Sequence, residues 1–393
     1  MKKIILLPKK EESVLRFHPW IFSGAIQTME GTPEEGELVE VYDARRHFLA
    51  IGHYQIGSIA VRILSFRQRD IDRDFWKERI SAAYRLRKAL GLTGSDYNNT
   101  YRLIHGEGDM LPGLIIDVYA HTAVIQAHSV GMHLSRIELA EVVRDILAGE
   151  VQHIYYKSEA TLPFKAQLGA EDGYLYGGEN VETMAMENGL KFLVDWEKGQ
   201  KTGFFVDQRE NRMLLEHYAK DRQVLNMFCY TGGFSFYAMR GGASTVHSVD
   251  SSSRAVDIAE RNVALNFPED MRHKAFSEDA FKYLERMGDQ YDLIILDPPA
   301  FAKHKHVLRN ALQGYRKLNG IALEKIQTGG IIFTFSCSQV VSREHFRLSV
   351  FSAAAQTGRK VRILHQLTQP ADHPINIYHP ESEYLKGLVL EVE

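Results

Sequence analysis

The sequence predicts an α/β protein whose C-terminal half is a parallel sheet covered by helices on both faces. A small β-rich domain and a compact α+β domain precede it. Three observations carry this. Over the last two hundred residues, short apolar runs of strand length alternate with segments of helical period, the pattern of repeated strand–helix units. Up to about residue 70, β-type runs are separated by Gly- and Pro-containing turns. The chain has 393 residues, which at roughly 100–200 residues per domain implies two or three domains.

In the first stretch, strands are expected at Ile4–Leu7, Leu38–Tyr42, Phe48–His53 and Ile59–Ser65. The start, Met1-Lys2-Lys3-Ile4-Ile5-Leu6-Leu7-Pro8, imitates a secretory leader. Its apolar run of four falls short of the roughly 7–15 residues a leader needs, so it reads as an edge strand. A helix from Ile71 to Leu90, stopped by Gly91, connects to a domain with strands at Gly113–Val118, Thr122–His128 and Val151–Lys157 and a helix at Leu134–Leu147. Gly173–Gly178 reads as a linker. The expected domains are therefore 1–70, 71–180 and 181–393.

In the last domain, strands are expected at Gln223–Phe228, Thr245–Val249, Arg272–Phe276, Asp292–Leu296 and Gly330–Phe335. The helices between and after them are Phe234–Arg240, Ser252–Asn266, Asp279–Met287, Val307–Gln327 and Arg343–Ala355. Open parallel sheets bind ligands beyond the carboxyl ends of their strands, which directs attention to the strand tips.

Composition narrows the function classes. Apolar residues are 45% and charged residues 25% of the chain, near the globular average, which excludes a predominantly disordered or collagen-like chain. A net charge of −3 gives no global basic field, so nucleic-acid binding has to come from local patches. Two cysteines, Cys229 and Cys337, make neither a disulfide framework nor a four-thiolate metal site and suit a reducing, cytoplasmic setting. No window approaches the ~18 apolar residues of a membrane span, and no fixed-period repeat is visible.

The first strand of the last domain runs into Cys229-Tyr230-Thr231-Gly232-Gly233-Phe234, a turn that lets backbone approach a ligand closely. Without the full GxGxxG fingerprint it reads equally as an ordinary tight turn. Asp250, at the tip of the second strand, is placed to accept hydrogen bonds from ribose hydroxyls, and turn plus acid favour a nucleoside-type cofactor. Asp279, after the third strand, is placed to accept from an adenine amino group, although a lone Asp there reads better as a helix N-cap. The fourth strand ends in Asp297-Pro298-Pro299-Ala300-Phe301. In this context Asp-Pro-Pro is typical of methyltransferases that use S-adenosylmethionine. Cys337, just past the fifth strand in Phe335-Ser336-Cys337-Ser338, is expected to face the same cleft, whereas Cys229 reads as a buried apolar residue.

At this point the sequence closely resembles the bacterial 23S ribosomal RNA 5-methylcytosine methyltransferase family, whose members join a PUA domain, a middle α+β domain and a Rossmann-like class I methyltransferase domain. The resemblance covers nearly the whole chain. It rests on Arg16-Phe17-His18-Pro19-Trp20-Ile21-Phe22-Ser23-Gly24, Tyr101-Arg102-Leu103-Ile104-His105-Gly106-Glu107 and the tract from Gly199 through Gln208 to Arg209. Further matches are Tyr230-Thr231-Gly232-Gly233-Phe234, Asp297-Pro298-Pro299, Phe335-Ser336-Cys337-Ser338 and Glu383-Tyr384-Leu385-Lys386-Gly387.

The resemblance implies that Phe228, Tyr230, Gly232 and Gly233 line the cofactor S-adenosyl-L-methionine, with Asp250 on its ribose, Asp279 on its adenine and Gln208 near its methionine end, and Asp297 also among the cofactor contacts. It also implies RNA binding by the first domain, through Arg16, His18 and Trp20, and 23S ribosomal RNA or a large-subunit assembly intermediate as partner. Many RNA 5-methylcytosine enzymes carry a second cysteine after their Asp-Pro. Here Pro299-Ala300-Phe301 follows instead, so release assisted by a second thiol is not expected.

Cytosine C5 is a weak nucleophile, and thiolate attack at C6 is the chemically sensible way to load C5 with electron density. Cys337 is the expected nucleophile and Asp297 the group on the N3/N4 edge. The target base has to be unpaired or flipped out. Phe301 and Tyr315 are candidate stacking surfaces, and Lys303, Lys305, Arg309, Arg316 and Lys317 candidate phosphate contacts, with a solvated helix face as the alternative. His304 and His306 do not make a metal site without further ligands, and none is expected.

Alternatives remain. The same architecture serves methylation at guanine N7 or an exocyclic amine with Cys337 structural, or an inert RNA-binding or ribosome assembly protein. A nicotinamide dehydrogenase lacks its glycine fingerprint, and Gly233-Phe234-Ser235 is not a nucleophile elbow. A homodimer stays open, because the hydrophobic pattern does not separate a dimer face from a domain face.

Overall fold

The computed structural model describes residues 1–95, 97–163, 168, 171–179, 181, 183–302 and 304–393. It divides into two compact units: Met1–Gly189 with Val194–Val206 and Ala371–Ser382, and Leu190–Leu193 with Asp207–Pro370 and Glu383–Glu393. No helix among the described residues is long and apolar enough to cross a membrane.

The first unit holds two sheets. β1 (Lys2–Leu6), β2 (Trp20–Phe22), β3 (Ile26–Glu30), β4 (Leu38–Tyr42), β5 (Phe48–Tyr54) and β6 (Ile59–Ser65) form one, in the order β2-β6-β5-β4-β1-β3, with a short helix α1 (Glu12–Leu15) in the β1–β2 connection. The N-terminal run is not an edge strand. β1 lies between β4, to which it is parallel, and β3, to which it is antiparallel. β3 escapes a pattern reading because Gln27, Thr28 and Met29 are all exposed, which leaves no alternation to detect.

The connecting helix α2 (Arg73–Ala89) starts where Asp72 accepts a hydrogen bond from the Phe75 amide at 3.0 Å, an N-cap. Its core face, Phe75, Trp76, Ile80 and Ala83, packs over a sheet ordered β11-β10-β9-β8-β7. The strands are β7 (Thr100–His105), β8 (Leu114–Tyr119), β9 (Thr122–Ala127), β10 (His153–Tyr156) and β11 (Gly173–Tyr176), with helices α3 (Val130–Leu134) and α4 (Arg136–Ile146) after β9. β12 (Met184–Glu187) follows.

Arg87 on α2 is fully buried. It forms a two-pronged ion pair with Asp109 at 2.5 and 2.7 Å and donates to the Asp372 carbonyl at 2.7 Å. Asp372 in turn accepts from the Arg102 amide at 3.0 Å, so these polar bonds tie the late segment Ala371–Ser382 into this unit.

The second unit begins with β13 (Leu190–Leu193) and α5 (Arg209–Tyr218). There follow β14 (Gln223–Met227), α6 (Gly233–Arg240), β15 (Thr245–Asp250), α7 (Ser253–Asn266), β16 (His273–Ser277), α8 (Ala280–Arg286) and β17 (Leu293–Leu296). α9 (Leu308–Lys325), β18 (Gly330–Ser336), α10 (Arg343–Thr357), β19 (Val361–Leu367) and β20 (Lys386–Val392) complete it.

Its seven-stranded sheet runs β16-β15-β14-β17-β18-β20-β19. The five strands expected from sequence are parallel, but the sheet is mixed rather than parallel. β20 inserts antiparallel between β18 and β19. Strand order reverses direction between β14 and β17, and ligands of such sheets bind beyond the strand ends at that switch point. One core cluster joins Leu225, Ile294, Leu296 and Ile332 of the sheet to Tyr315, Leu318 and Ala322 of α9.

Candidate active site at the strand tips

Past β14 the backbone takes left-handed conformations at Phe228, Tyr230 and Gly232, with φ of 58°, 49° and 88°. At Gly232 a side chain is excluded twice over. A Cβ would fall 2.7 Å from the Phe236 ring, and positive φ disfavours any L side chain. Asp250, at the tip of β15, braces this turn. One carboxylate oxygen accepts from the Tyr230 amide at 2.9 Å and the other from the Ser252 amide at 2.9 Å. A carboxylate offers about four lone-pair directions, so hydroxyl acceptor capacity remains. Asp279 is the N-cap of α8, accepting from the Lys282 amide at 3.0 Å.

Asp297 follows β17 directly. Gln208, 3% exposed, donates its amide to Asp297 at 3.0 Å, and Asn211 fixes that amide by donating to its oxygen at 2.6 Å. Burial, then the charge of Asp207, pushes the Asp297 carboxyl up to about 7 against the opposing Gln208 hydrogen bond and Arg212 charge. The site therefore holds a carboxyl that is both acid and base near neutrality.

Asp207 was not singled out from sequence. Its Oδ2 accepts from the Tyr384 hydroxyl at 2.7 Å, while its buried Oδ1 has no hydrogen-bond partner among the described residues. A buried carboxylate oxygen without a donor is costly and marks a place for a ligand N–H or ammonium. Its adjacency to Gln208 in the Gly199–Arg209 tract was the available signal.

Cys337 lies just past β18, and its Sγ is 3.9 Å from the Pro298 carbonyl oxygen, which places the thiol against the Asp-Pro-Pro turn. Neighbouring groups hold the loop. Ser336 donates to the Tyr315 hydroxyl at 2.9 Å, Ser338 donates to the Ala302 carbonyl at 2.5 Å, and Lys386 donates to the Ser338 carbonyl at 2.6 Å. Cys229 differs. It is 5% exposed, and burial followed by the Asp250 charge drives its thiol far above the ordinary range.

Of the expected RNA contacts, Tyr315 requires correction. It is 0% exposed, on the stripe of α9 that carries Ala311, Leu318 and Ala322, and its ring is covered by Phe301 and Phe346 at 4.7 and 5.3 Å. A ring packed this way has no face for a base, and its hydroxyl accepts from Ser336. Phe301 keeps partial exposure. Lys305 and Arg309 are exposed, and Lys303 lies outside the described residues. In the first unit Arg16 is exposed near Glu12. His18 is half-buried, with Nδ1 3.2 Å from the Trp20 amide. Trp20 donates its indole N–H to Glu107 at 2.8 Å and packs on His379 at 4.2 Å.

The residues present fit S-adenosylmethionine. Acids stand at the ends of β15, β16 and β17, on either side of the β14 turn of small and left-handed residues, and the Asp207 oxygen that lacks a partner among the described residues suits an ammonium group.

The comparisons agree. A family model described as S-adenosylmethionine-dependent methyltransferase matches residues 146–377, and a PUA-like domain model matches residues 4–66. The chain is 38% identical to ribosomal RNA large subunit methyltransferase I of Alteromonas mediterranea, covering 99% of this chain and 98% of that protein. With the same-named protein of Tolumonas auensis it is 40% identical over 98% of each. It also resembles a solved SAM-dependent methyltransferase structure from Streptococcus mutans at TM-score 0.85 and 23% identity, and a solved methyltransferase complex with SAH at TM-score 0.85 and 24% identity, each covering 100% of both chains. These two likenesses speak to the fold alone, and together with the two family models they make it a class I methyltransferase fold with an N-terminal PUA-like domain. With the geometry of the strand tips, the family matches make S-adenosylmethionine the cofactor, and the chain belongs to the ribosomal RNA large subunit methyltransferase I family of S-adenosylmethionine-dependent enzymes.

Proposed function

We propose that this protein methylates C5 of a cytidine in 23S ribosomal RNA, or in a large-subunit assembly intermediate, through a covalent Cys337–C6 adduct. The observation that carries the reading is the placement of the Cys337 thiol 3.9 Å from Pro298 in the turn headed by Asp297, whose carboxyl titrates near 7. Thiolate and acid are the two groups that C5 activation requires.

In the proposed sequence the Cys337 thiolate pair forms the S–C6 bond. The C5=C6 π pair shifts to C5=C4, and the C4=N3 pair takes a proton from Asp297. S-adenosylmethionine, when bound, supplies an electrophilic methyl group on a sulfonium sulfur. C5 would take that methyl group with its C5=C4 pair, the S–CH3 bonding pair staying on the departing thioether while the N3 pair re-forms C4=N3. Transfer of the C5 proton to solvent water, return of the N3 proton to Asp297 and departure of the thiolate, the C5–H pair forming C5=C6, restore the aromatic base. Asp250 is assigned to the ribose and Asp279 to the adenine amino group. Gln208 and Asp207 are assigned to the methionine end, Phe228, Tyr230, Gly232 and Gly233 to the cofactor wall, and Phe301, Lys305 and Arg309 to the RNA.

The test is incubation with 5-fluorocytidine-substituted ribosomal RNA and S-adenosylmethionine. A covalent protein–RNA complex is expected with the native chain, and none with Cys337→Ala, which also loses methyl transfer. Nucleoside mass mapping of ribosomal RNA with and without the gene then locates the base. Methylation by Cys337→Ala without any trapped complex would move the target to guanine N7 or an exocyclic amine, for which an Asp-Pro-Pro followed by the partly exposed Phe301 is also suited.

A further inference from the structure

A lysine is buried beside the proposed nucleophile. Lys386 opens β20 and pairs across the antiparallel ladder with Ser336, the residue before Cys337. Its Nζ donates at 2.6 Å to the carbonyl of Ser338, the residue after it. Lys386 thus brackets Cys337 from both sides along the chain. It is 3% exposed, and a buried ammonium without a counter-charge is costly enough that such groups tend to neutralise. Among the described residues no carboxylate lies within the 4.0 Å of an ion pair with it. Glu383, three residues earlier, is paired with Arg343. An ammonium has three donors, and the Ser338 carbonyl engages one.

We propose that Lys386 is a positioning residue whose ammonium holds Cys337 as the thiolate and whose bond to the Ser338 carbonyl fixes the loop that carries the sulfur. The proposal rests on Cys337 as the nucleophile and deepens that reading. No proton is transferred to the lysine. The thiol proton leaves to solvent, and the ammonium keeps its three hydrogens. Burial lowers the Lys386 ammonium to about 8, with an ionised Cys337 next in weight and acting to raise it, so the group stays charged at neutral pH. The other groups that set the local field are Glu383 and Arg343 toward the lysine, and Tyr315, whose hydroxyl feels the charges of both Cys337 and Asp297. A like charge on Asp297 would disfavour a nearby thiolate, and the lysine charge acts in the opposite sense.

The experiment is the rate of iodoacetamide alkylation of Cys337 in the full-length protein across pH 5.5–9.5, read by peptide mass spectrometry, with buried Cys229 as the unreactive internal reference. The expected midpoint for the native chain lies below the ~8.5 of a free thiol. Lys386→Met raises it by about one pH unit or more, and Lys386→Arg, which keeps a cation, returns it toward the native value. In turnover Lys386→Met lowers kcat and leaves both KM values in place. An unchanged midpoint in Lys386→Met that still binds S-adenosylmethionine overturns the proposal.

Should that variant not fold, the reciprocal measurement decides. Coupling free energy is shared equally by both groups, so Cys337→Ala must lower the pH midpoint for acylation of Lys386, and no change overturns the proposal. Methylation retained by Cys337→Ala strikes the adduct mechanism separately, because alkylation still reads the thiol–ammonium coupling without it.

Discussion

A single carboxyl sets the pH behaviour expected of this site. Asp297 titrates near 7 in the folded chain against an ordinary 3.8, so between those values the folded state holds a proton that the unfolded state has lost. Stability therefore falls as pH rises through that window and is level above it. Asp297→Asn removes this dependence. In urea denaturation the variant should match the native protein near pH 4 and exceed it at pH 8. The excess is at most about 4 kcal/mol, since raising a carboxyl's pKa tenfold in proton affinity takes about 1.4 kcal/mol. On the proposed mechanism the variant should also lose methyl transfer, because Asn does not cycle the proton that mechanism assigns to N3. In the native enzyme the same protonation predicts a descending limb in the rate profile with a midpoint near 7. The two thiols should separate as cleanly. Cys229→Ala, a change at a buried thiol held far from ionisation, should keep turnover within a few fold, in contrast to Cys337→Ala.

At the scale of elements, the strand tips do the positioning, and Asp250 is the sharpest case. Its two oxygens tie the β14 turn and the start of α7 to the end of β15, so Asp250→Ala releases two backbone donors and the proposed ribose acceptor together. Hydrogen bonds to charged groups are worth about 1.5–3 kcal/mol. The expected result in isothermal titration is a loss of S-adenosylmethionine affinity of tenfold or more, accompanied by a lower Tm. Gly232→Ala should also destabilise, through its left-handed φ and the 2.7 Å approach to Phe236, by roughly 1–3 kcal/mol.

These tips were legible in the sequence because buried parallel strands read as continuous apolar runs that stop abruptly at Asp or a turn. β19 and β20 were not. β19 is mostly exposed along its length, and no local pattern states that β20 crosses back between β18 and β19. α5 was hidden for a different reason. Its buried face is built of Arg209, Asn211 and Arg212 together with Leu215, polar residues that erase the apolar period on which helix recognition depends. Tyr315 was the reverse case. The spacing of Ala311, Tyr315, Leu318 and Ala322 marks a core stripe, a stronger signal than proximity to the Asp-Pro-Pro turn. Asp207 and Lys386 lay inside tracts already recognised, but only coordinates reveal that one has an unpartnered buried oxygen and the other a buried ammonium.

For the molecule as a whole, 47 basic residues against 50 acidic ones leave no long-range attraction for a polyanion, so affinity for the proposed RNA substrate must be concentrated where cations are local and exposed. Lys305, just before α9, and Arg309, in its first turn, meet that condition shortly after the Asp-Pro-Pro turn, whereas Lys317 is already engaged with Glu285 at 3.0 Å. Each phosphate neutralised on single-stranded RNA contributes a slope of about −0.7 in log affinity against log salt. Filter binding of a ribosomal RNA fragment between 50 and 300 mM salt should then show the slope shrinking by about 1.4 in Lys305→Gln/Arg309→Gln, two contacts at that weight. S-adenosylmethionine binding should stay unchanged, because neither side chain belongs to the strand tips proposed to hold it. An identical slope in the double variant would make this segment a solvated helix face and leave the PUA-like domain to supply the phosphate contacts. A reduced slope with intact cofactor binding would place substrate capture and methyl-donor binding on separate residues of the same unit.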